Sequence, residues 1–207
     1  MKKIAAILTL LSLFQAQAFA DSGNDKDIEV KVRVNGEDVV VDVSFPVPAT
    51  QQEVWAVMTD FDHMASFISN VQTSRVIDRS GNILHIAQQG KAQHGPLSFA
   101  FDSVREIRLY PVDRIQSHLV SGKMRKLEGD TQIRVEGDAT RVAYHGDSIP
   151  GVWIPPIVGK IFIENELREQ FRDMRNEIAR RKQAARIAAL PRRSAAGLPG
   201  ATRPSAS

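Results

Sequence analysis

The sequence predicts an α+β protein in which a curved antiparallel sheet of about seven strands wraps around one long C-terminal helix. The helix is predicted by apolar residues that recur every three or four positions from Ile163 to Ile178, with charged residues between them. The sheet is predicted by the preceding part of the chain, where apolar and polar residues alternate between turn signals rich in Gly, Asn and Pro. Two short helices are expected after the first strand of the sheet's body.

Residues 1–20 have the features of an export signal. Two lysines precede a largely apolar eleven-residue run from Ile4 to Phe14, and Ala18-Phe19-Ala20 forms a small-x-small cleavage site. The run is too short to span a bilayer, which argues against the alternative of an uncleaved anchor. We expect cleavage after Ala20 and, because the signal has a bacterial form, a mature protein in the periplasm.

The remainder of the chain divides into three parts. Residues 21–37 are expected to form an N-terminal extension with an edge strand, residues 38–183 a single folded domain, and residues 184–207 a disordered basic tail. The chain contains no cysteine, so no disulfide can support the domain. Its stability must therefore come from the burial of a core of ordinary size.

Charge is distributed unevenly along the sequence. Lysine and arginine number 27 against 24 acidic residues, but seven of the basic residues and no acidic one lie between Arg180 and Ser207. The folded part is therefore net acidic, which argues against a nucleic-acid partner. The basic tail is expected either to hold the protein near anionic lipid or to be solvated without a partner.

The first element of the fold is a β-hairpin from Ile28 to Phe45, whose tight turn is marked by Asn35-Gly36. A capping box formed by Thr50 and Glu53 then begins a short helix. We assign Trp55 on this helix to the core, because it lies near the cap among other apolar residues.

A second short helical turn is expected at residues 63–68. Six more strands follow between turn signals, at residues 71–78, 83–89, 97–109, 114–121, 124–136 and 140–149. In the strand at 97–109, apolar side chains fall on one side: Phe99, Phe101, Ile107 and Leu109. The long helix then closes the domain.

This order of elements resembles the START-like (SRPBCC) superfamily, whose helix-grip fold is often described as polyketide cyclase/dehydrase and lipid transport. The stretch from Pro48 to Phe61 is similar to the first helix of that family, and Gly146-Asp-Ser-Ile-Pro before the long helix is also similar. The layout is similar to that of the coenzyme Q-binding branch, and the resemblance covers residues 38–183. It implies binding of a hydrophobic, lipid-like small molecule. It implies no catalytic residue, because the family shares no catalytic motif.

A strongly curved sheet and one helix cannot fill the space between them with short side chains, so an apolar cavity is expected. Burying about 400 Å² of apolar ligand surface there contributes roughly 10 kcal/mol before ordering costs. The candidate lining residues are Phe67 at the entrance, Phe99, Phe101, Tyr144, Trp153, Phe162, Ile163, Phe171 and Met174. The alternative for each is ordinary core packing.

The loop before the long helix is unusual because it is apolar. It reads Gly151-Val-Trp-Ile-Pro-Pro-Ile-Val, whereas surface loops are normally polar. We expect this loop, with Trp153, to form the mouth of the pocket and to touch a membrane surface transiently during ligand exchange. The alternative is a lid that packs over the end of the sheet.

An enzyme is the alternative function, as a cyclase or dehydratase acting on an aromatic or polyketide-like substrate. The sequence contains no nucleophile motif and no metal-binding spacing, and we expect no cofactor and no metal. A general acid or base would have to come from an inward histidine, and His118 and His145 lie in predicted strands. The other histidines are His63, His85 and His94. Arg105 and Asp102 share a strand but point to opposite faces.

Overall fold

The computed structural model describes residues 25–94, 97–152 and 156–190. Eight antiparallel strands form one sheet in the order β1-β2-β8-β7-β6-β5-β4-β3. The strands are β1 (Glu29–Asn35), β2 (Asp38–Val47), β3 (Val71–Ser80), β4 (Ile83–His94), β5 (Leu97–Tyr110), β6 (Arg114–Gly122), β7 (Lys126–Glu136) and β8 (Ala139–Ile149). The α+β class is confirmed, with seven strands in the body and β1 added at the edge.

Four helical elements in the described residues accompany the sheet: a three-residue 3-10 turn (Asp25–Asp27), α1 (Gln51–Met58), a longer 3-10 segment (Phe61–Ser66), called the 3-10 helix below, and the long α2 (Pro156–Ala188). The predicted capping box is present, since the Thr50 hydroxyl accepts a hydrogen bond from the Glu53 N–H at 3.2 Å and the Glu53 carboxylate accepts one from the Thr50 N–H at 2.7 Å. Trp55 is half-buried against the core. No helix in the described ranges is both long and apolar enough to cross a bilayer.

Helix α2 packs its apolar stripe on one face of the sheet, which we call the inner face. Phe171, Met174 and Ile178 are buried, with Ile178 only 1% exposed. The C-terminal half of α2 is joined to the loop around the 3-10 helix, because Arg181 bonds Asp60 at 2.7 Å. The stripe predicted from the sequence therefore does face the sheet.

The end of α2 differs from the predicted domain boundary. Helix α2 itself runs to Ala188, past the predicted domain end at residue 183, and the Leu190 N–H still donates to the Ile187 carbonyl. Residues 184–188 contain good helix formers, and the chain meets its first helix-breaking residue only at Pro191. The predicted export signal at 1–20 and the rest of the basic tail, 191–207, lie outside the described residues.

Candidate ligand-binding site

The inner face is defined by the register of the strands. Ile107 of β5, which is 1% exposed, pairs with Ser117, Ser117 pairs with Gly129, and Gly129 pairs with Gly146. Since side chains directly opposite one another on neighbouring strands share a face, this row crosses the sheet beneath α2. Alternate residues of each strand along this row therefore line the space between the sheet and the helix.

Four of the predicted lining residues form two aromatic contacts between sheet and helix. Phe99 of β5 meets Phe162 of α2 edge to face, with ring centroids 5.0 Å apart. Tyr144 of β8 meets Phe171 of α2 at 5.5 Å. Phe162 and Phe171 are buried, whereas Phe99 and Tyr144 are half-buried.

The other predicted lining residues occupy different environments. Met174 is buried in the main core, and Ile163 packs with Leu167 on the β1–β2 hairpin. Phe101 lies against Gly90 of the neighbouring strand, so closely that a Cβ at position 90 would stand 2.3 Å from the Phe101 ring. Phe67 is half-buried with the Arg181 guanidinium 5.6 Å from its ring centre, at the C-terminal half of α2. Trp153, the sharpest candidate from the sequence, lies outside the described residues.

Arg105 is not among the predicted lining residues, but it lies among the inward residues of β5. Within the described ranges its Nη2 donates to the Gln88 side-chain oxygen, its Nε has no partner, and no carboxylate pairs with it. Burial lowers the pKa of Arg105. The signal was present in the sequence, because Arg105 has the same parity in its strand as Phe101 and Ile107.

A chain of hydrogen bonds fixes the position of Arg105. The Ser74 hydroxyl donates to the Phe61 carbonyl at 2.5 Å, and the Gln88 amide nitrogen donates to the Ser74 oxygen at 2.9 Å. The amide oxygen of Gln88 is thereby turned toward Arg105. These links run from the 3-10 helix through β3 and β4 to β5, so the guanidinium is held by four elements.

Two glycines set the position of Tyr144. A Cβ at Gly146 would stand 2.6 Å from the Tyr144 hydroxyl, and a Cβ at Gly129 would stand 3.1 Å from its ring and 2.5 Å from the Ser117 hydroxyl. The ring of Tyr144 therefore lies close against β7 and β8, where only glycine leaves room. Burial raises the pKa of Tyr144, so its hydroxyl remains a neutral hydrogen-bond donor at neutral pH.

Arg105 and Tyr144 are deep in the protein, yet both keep surface that water can reach. Burial is the largest influence on the pKa of each residue, which requires that protein surrounds them. Both are nevertheless only half-buried by exposed area, as are the inward side chains Leu119 and Leu127. Arg105 and Tyr144 are therefore surrounded by protein on the inner face without being completely covered by it.

The histidines with described side chains lie away from this space. His85 and His118 pair with carboxylates on the outer face of the sheet, as does His145, whose Nδ1 is 2.7 Å from Asp42. His63 is exposed beside Asp60, and the His94 side chain is outside the described set. Among the residues that the structure describes, no three His, Asp or Glu side chains are grouped so as to hold a metal ion.

Solved structures with the same fold come from several organisms. The Zhui aromatase/cyclase from Streptomyces sp. R1128 superposes with a TM-score of 0.61 at 13% identity, covering 72% of this chain and 98% of that one. A START superfamily protein from Mycobacterium smegmatis gives 0.58 at 14% identity, with 68% and 97% covered. A STAR-related lipid transfer protein from Xanthomonas axonopodis gives 0.56 at 12% identity, with 73% and 98% covered. At these identities the likeness establishes the fold.

The search of curated proteins found no match to this sequence. The family described as polyketide cyclase / dehydrase and lipid transport matches residues 47–175, which is more than half of the 207 residues. These residues run from the end of β2 to the middle of α2 and so include the inner face. The chain therefore belongs to the polyketide cyclase/dehydrase and lipid transport family, and it has the helix-grip fold seen in the START superfamily structure.

Proposed function

We propose that the protein binds a hydrophobic, lipid-like small molecule in the internal space between the sheet and α2, and carries it. The observation behind this proposal is that Arg105 and Tyr144 are deep but remain in reach of water. The surrounding side chains are largely apolar, as in ligand pockets generally. Similarity to a STAR-related lipid transfer protein agrees with a lipid-like ligand.

The ligand itself is the most direct test. Protein purified from the envelope of its own cells would be analysed by native mass spectrometry, and any passenger would be extracted and identified. We expect a hydrophobic molecule bound at one copy per chain. A chain that carries no passenger and also fails to bind the neutral dye N-phenyl-1-naphthylamine would contradict the proposal.

Exposed apolar residues around the start of α2 support a role in exchange with a membrane. Val152, Val158 and Ile161 are 61%, 48% and 54% exposed, and Val158 and Ile161 are three residues apart on one side of the helix. Phe162, the next residue, is buried against Phe99 at the edge of the internal space. We infer that this surface and the Trp153 loop form the mouth and touch lipid during exchange.

A matched pair of variants tests this contact. Ile161→Ser should reduce flotation with vesicles and slow the transfer of a bound dye to vesicles, because it removes apolar area from the contact. Ile187→Ser is the control, since Ile187 is 58% exposed on the same helix but near its other end. Equal transfer rates for the two variants would contradict a membrane role for the mouth.

The catalytic alternative comes from the family and from similarity to an aromatase/cyclase. The histidines with described side chains lie away from the inner face, which supports binding more than acid–base catalysis. Turnover of a soluble aromatic polyketide analogue by the purified protein would instead support the enzyme.

We also propose export to the periplasm, on the basis of residues 1–20 alone. The mature protein should begin at Asp21. Cell fractionation with N-terminal sequencing tests this, and recovery of the unprocessed chain from the cytoplasm would contradict it.

A further inference from the structure

The positive charge of Arg105 has no counter-charge in the described parts of the chain. A guanidinium offers five N–H donors, and the recorded bond to Gln88 uses one of them. The Nε atom is buried without a partner. A buried charge without an opposite charge is costly, so a protein that keeps one gains when a ligand neutralises it.

The side chains around Arg105 orient its guanidinium without neutralising its charge. Gln88 presents a neutral amide oxygen, which orients the guanidinium without cancelling its charge. Tyr144 lies on the same face of the sheet with its ring against Gly129 and Gly146, and burial raises the pKa of its hydroxyl, which keeps its proton at neutral pH. A ligand oxygen bound to Arg105 could therefore also accept a hydrogen bond from Tyr144.

The nature of the ligand follows from the charge. A neutral hydroxyl or carbonyl would satisfy a donor of Arg105 but would leave the buried charge in place. An oxyanion satisfies the donors and removes the charge, and arginine binds carboxylate and phosphate oxygens in pairs. Apolar rings such as those of Phe99, Phe162 and Phe171 would surround the remainder of the molecule.

We infer that the internal space selects amphipathic anions, in which an apolar body carries a carboxylate or phosphate group that binds Arg105 with help from Tyr144. This inference rests on the proposed binding function and names the ligand class for the same site. It distinguishes this protein from a carrier of neutral lipids such as sterols or hydrocarbons.

Two dyes that differ in one group separate the inference from the binding function. N-phenyl-1-naphthylamine is neutral, and 8-anilino-1-naphthalenesulfonate has the same ring system with an added sulfonate. We expect Arg105→Met to weaken binding of the sulfonate dye by about 10- to 100-fold, the usual range for losing hydrogen bonds to a charged group, and to change binding of the neutral dye far less. Arg105→Lys keeps the charge and should retain part of the affinity.

Arg108→Met is the matched control, because Arg108 lies on the same strand but is exposed on the outer face and paired with Glu106 at 2.8 Å. It should bind both dyes like the natural chain, and circular dichroism establishes that each variant is folded. If no variant binds the neutral dye, the binding function fails. If the neutral dye binds and the sulfonate dye is unaffected by Arg105→Met, the function stands and the anion inference is overturned.

Displacement of the neutral dye then identifies the source of the anion. Oleate, oleyl alcohol and dioleoyl phosphatidate share an apolar chain and differ in the head group. Displacement by oleate, by phosphatidate or by both, reduced in Arg105→Met, supports the inference and names the head group. Displacement by oleyl alcohol as strong as that by both anions would overturn it.

Discussion

Among the described residues, many charged side chains on the outer face of the sheet are paired with opposite charges, whereas Arg105 on the inner face is not. On the outer face, carboxylates and histidines alternate across five neighbouring strands, in the order Asp78, His85, Glu106, His118 and Glu128. Arg33 and His145 likewise both contact Asp42, at 2.8 and 2.7 Å. On the inner face, Arg105 has no carboxylate partner among the described residues. Exposed pairs cost little to form and contribute little, whereas an uncompensated buried charge lowers stability and is explained better by binding.

A buried charge on α2 sharpens this contrast. The Glu177 side chain is only 8% exposed, and both Arg180 and Arg181 bond to it at 2.6 and 2.7 Å. Arg181 also bonds Asp60 at 2.7 Å, which links the helix to the start of the 3-10 helix. Glu177, a buried charge that joins elements of the fold, is thus paired with two arginines, whereas Arg105 has no carboxylate partner among the described residues.

The largest expected effect comes from adding one methyl group to the inner face. In Gly146→Ala the new Cβ would stand 2.6 Å from the Tyr144 hydroxyl and 2.8 Å from a Val41 methyl. We expect the free energy of unfolding to fall by about 3 kcal/mol, the upper part of the range for overpacking. Urea unfolding followed by circular dichroism measures it.

The double variant Gly146→Ala with Tyr144→Phe identifies the clashing atom. Because the hydroxyl is the nearest contact of the new methyl, its removal should recover part of the loss. Strictly additive effects of the two substitutions would mean that Tyr144 does not lie against Gly146.

The next effect in size has the opposite sign. Arg105→Met keeps the unbranched stem and removes the buried charge, so we expect the ligand-free protein to become more stable by about 2 kcal/mol. Arg108→Met on the outer face should change stability little. A loss of stability in Arg105→Met beyond that of Arg108→Met would give Arg105 a structural role and would remove the contrast between the two faces.

The fold was predictable because its signals are local. The stripe from Ile163 to Ile178, the capping box at Thr50 and the turn at Asn35-Gly36 each report on residues a few positions apart, and all three were confirmed. Gly36 has φ of 62°, as this tight turn requires. Alternation within each strand then indicated which side faces the helix.

The site was less predictable because its contacts join distant parts of the chain. Phe67 was expected at an entrance, but its neighbour is Arg181, far along the sequence. Arg105 was considered only as a possible partner of Asp102, because a charged residue in a strand usually lies outside. Strand parity alone places Arg105 on the inner face. Only the register of β4 to β8 shows that no described carboxylate lies on that face of the neighbouring strands.

A third prediction concerns acid. The hydrogen bond from Arg180 is the main cause that lowers the pKa of Glu177, from 4.5 to about 2, with Arg181 adding to it. Because the pKa is lower in the folded state, the stabilisation is complete above the unfolded value and is lost as the pH falls from 4.5 toward 2. We expect this loss to be about 1.5 kcal/mol, less than the full shift implies because Arg180 is largely exposed.

Glu177→Gln tests this prediction without removing the side chain. Urea midpoints measured at a series of pH values should fall less steeply with acid for this variant than for the natural chain. Parallel curves for the two proteins would mean that the two arginines do not stabilise the Glu177 carboxylate.

The smallest effect is expected on the outer face, at Asp42. The hydrogen bond from His145 and, after it, the guanidinium of Arg33 lower the pKa of Asp42, yet the side chains of all three residues are more than a third exposed. Asp42→Asn should therefore reduce the free energy of unfolding by less than about 1 kcal/mol. The reduction should shrink further in about 0.5 M NaCl, because salt screens exposed pairs. A loss of about 2 kcal/mol that resists salt would show that a charge on the outer face is as strongly coupled to the fold as one inside, and the distinction drawn for Arg105 would no longer hold.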